Sequence, residues 1–162
     1  MATLATEKII FEKVEPWLTR LAQCAGATED AAYAAAVNAV ATASLAELGV
    51  HPRYHGCELI EAVGVLQGLE EEKSPADKAK CIVRAQEEIL RACQATGVPL
   101  RADDLLPLLT YVTARAQVPR LASQVKYAVD FLAEGLCNGE LGYYLTCMHA
   151  VVAALIREQG TG

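Results

Sequence analysis

The sequence lacks most of the signatures that would settle its chemistry at once. Aromatic residues make up only 6% of it. Its 6 cysteines (Cys24, Cys57, Cys81, Cys93, Cys137 and Cys147) include no C-x-x-C pair and no histidine at metal-ligand spacing, which argues against a zinc module. No P-loop, G-x-G-x-x-G, Ser-His-Asp order or paired-carboxylate signature is present. Basic residues are outnumbered: 14 Lys and Arg against 20 Asp and Glu leave a net charge of −6, which excludes a non-specific nucleic-acid or anionic-membrane surface. Apolar runs such as Ala150 to Ile156 fall far short of the about 20 residues a membrane span requires. Met1 to Glu12 is short and charged, without the apolar core of a secretory signal. The expectation is a cytoplasmic domain with no direct membrane insertion and no nucleic-acid partner.

What is present is apolar and helical. The chain has 162 residues and is 53% hydrophobic, enough to bury about 70% of its unfolded surface without a disulfide or metal. The cysteines therefore read as reduced core thiols, and neither a metal nor a cofactor is expected. His51, His55 and His149 have no second ligand near them.

Apolar residues recur at period three to four and never alternate for long, so the fold class is all-α. About seven helices are predicted, packed as one layered bundle over residues 1–162. The first runs from Leu4 to Cys24, with Ile9, Ile10, Val14, Trp17, Leu18 and Leu21 down one side and Pro16 kinking or splitting it. Thr28 caps a second, which carries Glu29 and Asp30 in its first turn and stops at Gly49. A third covers about Tyr54 to Glu71. Ser74-Pro75-x-Asp77 is a strong start signal for a fourth, which ends at Gly97. Asp103 or Asp104 caps a fifth, and Pro119 opens a sixth. After a loop over Glu134 to Leu141, the last helix runs from about Gly142 to Glu158.

Two spots stand out. One is Ala102-Asp103-Asp104-Leu105-Leu106-Pro107-Leu108-Leu109-Thr110-Tyr111-Val112, continuing ungapped to Pro119-Arg120-Leu121-Ala122-Ser123-Gln124-Val125-Lys126-Tyr127. The other is Gly139-Glu140-Leu141-Gly142-Tyr143-Tyr144-Leu145-Thr146. Together with Ser74-Pro75-Ala76-Asp77-Lys78 and Glu7-Lys8-Ile9-Ile10-Phe11, these blocks resemble the Vps-nine (VPS9) domain. That family is the catalytic module of guanine-nucleotide exchange factors for early-endosomal Rab GTPases of the Rab-five subfamily. The order and spacing of the blocks are kept. Cys147 stands where the family often has Asn, Gln124 where it has Asn or Glu, and Leu105 and Leu145 where it often has Phe.

The resemblance implies a regulator of a GTPase that makes and breaks no covalent bond. Its partner would be a Rab-family small GTPase, GDP-bound and nucleotide-free, and the domain a monomer recruited to early endosomes. A catalytically silent adaptor that keeps the fold and docks a Rab is the alternative. The implied catalytic pair is Asp103, an acidic finger against the GTPase's P-loop lysine and Mg²⁺ site, and Tyr143. The implied partner surface comprises Pro107, Thr146, Tyr144, Gly142, Ser123 and Leu106. The residues alone leave structural roles open. Asp103 could be a helix cap, Tyr143 and Tyr144 core aromatics, Pro107 a first-turn proline and Gly142 a loop former, while Ser123 stands evenly between groove and scaffold.

Overall fold

The computed structural model describes residues 2–132 and 138–160. Among them are six α-helices and no strand: α1 (Ala2–Val40), α2 (Ile60–Gln67), α3 (Pro75–Ala95), α4 (Ala102–Ala116), α5 (Leu121–Phe131) and α6 (Glu140–Gln159). Short 3-10 turns at Pro52–Tyr54 and Gly68–Glu71 flank α2. No helix among the described residues is long and apolar enough to cross a membrane.

Helix α3 forms where local chemistry says it should. Ser74 Oγ accepts the Asp77 amide at 3.0 Å, Pro75 needs no donor, and Gly97 takes φ +75° just beyond the end. Its apolar face (Ala79, Ile82, Ala85, Ile89, Cys93) is buried against α2, α5 and α6. The core continues through Leu66 and Leu69, through Leu108 and Leu109 of α4, and through Leu121 and Met148. Lys78 is buried in the first turn of α3, and burial holds its ammonium below the ordinary lysine range. Its Nζ donates to the Leu69 carbonyl (3.1 Å) and Gln124 Oε1 (2.7 Å), tying α3 to the second 3-10 turn and to α5.

The N-terminal half departs from expectation. The two helices predicted across residues 4–48 are one rod, α1, which runs through Pro16, Gly26 and Thr28. Pro16 removes only one hydrogen bond and is exposed, so the helix continues past it. At Gly26, α1 packs directly on α5: a Cβ there would collide with Ser123 Oγ. One turn on, Asp30 is buried and reaches across, Oδ1 accepting the Ser123 amide at 2.9 Å and Oδ2 accepting the Ser123 hydroxyl. Thr28-Glu29-Asp30 therefore starts no new helix, because its acid serves α5.

Two further corrections follow from that joint. The apolar stripe read down one side of the first helix is exposed, with Ile10 at 53%, Trp17 at 73% and Leu21 at 67%, because α1 is buried through Gly26, Asp30, Tyr33, Ala36 and Val37 instead. Small residues let the helix axes approach where Trp17 would hold them apart. The rod also stops at Val40, short of Leu48, where Ser44 and Glu47 form a reciprocal capping pair (Ser44 N to Glu47 Oε2 2.7 Å; Glu47 N to Ser44 Oγ 3.3 Å). From α4, Arg115 donates to the Ala41 (2.6 Å) and Ala43 (3.1 Å) carbonyls just beyond the end of the rod.

The other differences are smaller. The third predicted helix shortens to α2, α5 starts at Leu121 after Arg120 in the left-handed region (φ 53°), and α6 starts at Glu140. Part of the loop predicted over 134–141, with Cys137, lies outside the described residues. Cys57, Cys81, Cys93 and Cys147 are buried free thiols, and Cys24 is an exposed one.

The joint predicts a contrast in stability. Asp30→Ala strands the buried Ser123 amide and should destabilise the fold by about 3 kcal/mol in urea denaturation. Thr28→Ala, at a position that caps nothing, should change it by less than about 0.5 kcal/mol. Equal effects would mean that Asp30 does not cap α5.

Candidate functional site

The start of α4, the start of α6 and the middle of α3 enclose a cleft of about 160 Å³. Leu100, Arg101, Ala102 and Leu105 line one wall, Gln86 and Leu90 the floor, and Tyr143 and Tyr144 the other wall. Arg101, in extended conformation (φ −93°, ψ 152°), is the N-cap of α4. Neither aspartate caps the helix, which corrects the expectation; both sit in its first turn, where the helix dipole favours an acid.

The two aspartates have different surroundings. Asp104 is half-buried and its Oδ2 lies 3.0 Å from the Tyr54 hydroxyl, which also reaches the Pro99 carbonyl at 3.0 Å and accepts from the Arg101 amide at 3.4 Å. Tyr54 is fully buried, and burial, with the Asp104 carboxylate next, pushes its phenol up. This network holds the turn that opens α4. Asp103, beside the cleft-lining Arg101 and Ala102, is exposed, and its carboxylate has no hydrogen-bond or ion-pair partner among the described residues.

Pro107 stands in the second turn of α4, not the first, and is half-buried. Four residues after Asp103, it lacks the amide that would meet the Asp103 carbonyl. Asp103 thus presents a carboxylate and a main-chain carbonyl with no i+4 donor. Leu106, beside it, is 40% exposed.

Across the cleft, Gly139 (φ 78°) turns the chain into α6, and its carbonyl accepts the Tyr143 amide at 3.1 Å. Tyr143 is 49% exposed, and its ring meets that of Tyr144 edge-on at 5.6 Å. A hydrogen bond with the Cys147 thiol, one turn on, pushes the Tyr143 phenol up. Tyr144 is half-buried, and its carbonyl accepts Gln86 Nε2 at 2.8 Å, pinning α6 to α3. Gln86 Oε1 is buried with no partner among the described residues.

Asp103, Leu106 and Pro107 thus share α4, and the tyrosines flank its start. Gly142 and Thr146 lie on the adjoining side of α6, lining a groove with Lys126, Asp130 and His149. The Thr146 hydroxyl donates back to the Gly142 carbonyl at 2.8 Å. Ser123 is 5% exposed with its amide and hydroxyl both engaged by Asp30, which places it in the α1–α5 joint and away from this surface. No group of three or more His, Cys, Asp or Glu able to hold a metal occurs among the described residues. Sequence reasoning missed Tyr54 and Gln86, whose partners stand 50 and 58 residues away and leave no local signal.

This arrangement of helices belongs to one class of all-helical domain. Residues 59–159, spanning α2 to α6, match the Vacuolar sorting protein 9 (VPS9) domain model, and the chain belongs to that family. It is 34% identical over 97 residues to the mouse Rab5 GDP/GTP exchange factor, covering 59% of this chain and 20% of that protein. It is 32% identical over 116 residues to the human VPS9 domain-containing protein 1, covering 62% of this chain and 18% of the relative. Human Ras and Rab interactor 1 is 37% identical over 75 residues, 41% of this chain and 10% of the relative. The chain therefore spans about a fifth or less of these curated relatives.

Removing the Tyr54 hydroxyl tests the turn. Tyr54→Phe should cost about 1–2 kcal/mol at neutral pH. Its raised phenol favours the neutral form when folded, so the wild-type stability is intact below the ordinary value of about 10 and is lost as pH rises through the folded value. Phe cannot ionise, so the gap between the two proteins should narrow above pH about 10 in parallel melts. A constant gap would show that the hydroxyl is not held as described.

Proposed function

We propose that this domain accelerates GDP release from a Rab-family GTPase of the Rab-five group, with Asp103 as the acidic finger. The observation that carries this is the split between the two adjacent acids: Asp104 is committed to Tyr54, while Asp103 is exposed and unpaired at the same helix start.

A small GTPase holds its nucleotide through a P-loop lysine, backbone amides and Mg²⁺ on the phosphates. An exchange factor works only by binding the nucleotide-free form more tightly than the loaded one. A carboxylate brought to the β-phosphate position repels the phosphate and takes over its lysine. Asp103 supplies that charge, and the Asp103 carbonyl freed by Pro107 supplies a second acceptor beside it. Tyr143, half-exposed and steadied against Tyr144, supplies contact area to the GTPase switch regions, with Leu106 and Pro107 on the facing helix. Thr146 and Gly142 extend the contact across α6. No covalent bond is made or broken, and the domain acts as a regulator on the cytoplasmic face of early endosomes.

Release of a fluorescent GDP analogue from a panel of Rab GTPases tests this. Asp103→Ala should slow release by two or more orders of magnitude while lowering the melting temperature only slightly, because the carboxylate has no hydrogen-bond or ion-pair partner among the described residues and loses only its interaction with the helix dipole. Asp104→Ala should instead lower the melting temperature. Tyr143→Ala should reduce kcat/KM about 10–100-fold with a small stability change, the usual cost of truncating an interface tyrosine. Tight Rab binding without acceleration by the wild type would turn the assignment to an adaptor, and normal exchange by Asp103→Ala would remove the acidic finger.

A further inference from the structure

Two thiols face each other beneath a different cleft. Cys57 lies in the loop between the first 3-10 turn and α2, Cys93 in the last turn of α3, and their sulfurs are 3.6 Å apart. Cys57 is 8% exposed and Cys93 fully buried. The cleft above them, about 330 Å³, is lined by Gly56 and Glu58 on either side of Cys57 and by Ala92 and Thr96 around Cys93. Thr96 Oγ1 stands 3.9 Å from Cys57 Sγ. Glu61, Glu88 and Arg91 also face the opening and, with Glu58, leave it net acidic. An acidic mouth repels anionic oxidants such as glutathione disulfide and admits a small neutral one.

We propose that Cys57 and Cys93 form a peroxide-oxidisable dithiol that closes to a disulfide between the loop preceding α2 and the end of α3. Cys57, the thiol nearer solvent, reacts first. Its thiolate attacks one oxygen of hydrogen peroxide, the O–O bond breaks, and the departing hydroxide takes a proton to leave as water, giving a sulfenic acid. The Cys93 sulfur then attacks the Cys57 sulfur. The S–S bond forms, the S–O bond breaks, and the hydroxide leaves with the Cys93 proton as a second water. Two thiols lose two electrons and one peroxide gains them.

Burial, and after it the Cys57 neighbour, pushes the Cys93 thiol up to about 12, which leaves the first attack to Cys57, while the 3.6 Å between the sulfurs places Cys93 to resolve it. Closing the bond brings the sulfurs to about 2.05 Å, and the non-helical loop at Cys57 can supply that movement. The bridge joins residues 36 apart in sequence. The loop it tethers follows directly on Tyr54, whose hydroxyl meets Asp104, and Cys57 stands three residues after that tyrosine.

Peptide mapping tests this on the intact wild-type chain. Trypsin releases Cys57 in residues 54–73 and Cys93 in residues 92–101. The folded protein is exposed to hydrogen peroxide, quenched with catalase, alkylated in denaturant and digested without reductant. The expected product is 54–73 linked to 92–101, lighter by two hydrogens than the two peptides together and separated by dithiothreitol. In Cys93→Ser the link should be lost and Cys57 should react with dimedone instead. Recovery of both cysteines fully alkylated while Cys24 is oxidised would overturn the proposal. So would conversion of Cys57 to the sulfinic acid without any linked peptide.

Discussion

The structure depends first on one buried carboxylate. Asp30, in the C-terminal part of α1, supplies both oxygens to Ser123 at the start of α5. Helix α5 has no cap of its own: Arg120, at its N-cap, is left-handed and makes no side-chain cap bond. The first-turn amide that would otherwise stand buried and unpaired is satisfied from another helix, 93 residues away in sequence. That requires α1 to pass close to α5, which Gly26 permits, and to remain helical on both sides of the contact. Helix α6 packs against both α1 and α5, so the tyrosines at its start inherit their position from this joint.

The surface at the start of α4 is built on a division of labour. Two adjacent acids at one helix start would ordinarily share the same environment, yet here a single phenol separates them. Tyr54 engages Asp104, Pro99 and Arg101 together, which fixes the turn without touching Asp103. Pro107 then withholds the one backbone donor that would cover the Asp103 carbonyl. Charge is concentrated on one residue whose surroundings are rigid, in a domain that is otherwise diffusely acidic.

How much of this was legible in the sequence depended on how far each signal had to reach. Helix α3 was readable because Ser74, Pro75 and Asp77 act within one turn. The α4 and α6 cores were readable from their three-to-four spacing. Thr28-Glu29-Asp30 has the local form of a helix start and was misread for that reason, since only the distant Ser123 reveals what Asp30 does. The stripe from Ile9 to Leu21 was likewise conspicuous for its hydrophobicity, whereas α1 is buried farther along, at Gly26, Tyr33, Ala36 and Val37. In the site, the blocks around Asp103 and Tyr143 were conspicuous. That Asp104 would be tied to Tyr54 was not, because Tyr54 lies on a separate element with no spacing to announce it. Ser123 sat in a conspicuous block and is buried in the α1–α5 joint, since position within a motif says nothing about burial.

Arg115 gives α4 a second anchorage. At the C-terminal end of the helix its guanidinium stacks over Tyr111 at 5.0 Å and holds the carbonyls just beyond α1, while at the other end Tyr54 holds the first turn. A rod fastened at both ends has little freedom to lose when something docks on it. For the proposed contact at Asp103, the conformational entropy surrendered would be confined to the two torsions of one short side chain, where a loop-borne acid would also surrender its backbone, at about 1–2 kcal/mol for each residue ordered. Fast capture and fast release can coexist at such a residue, because little of the binding free energy is consumed in ordering the acid.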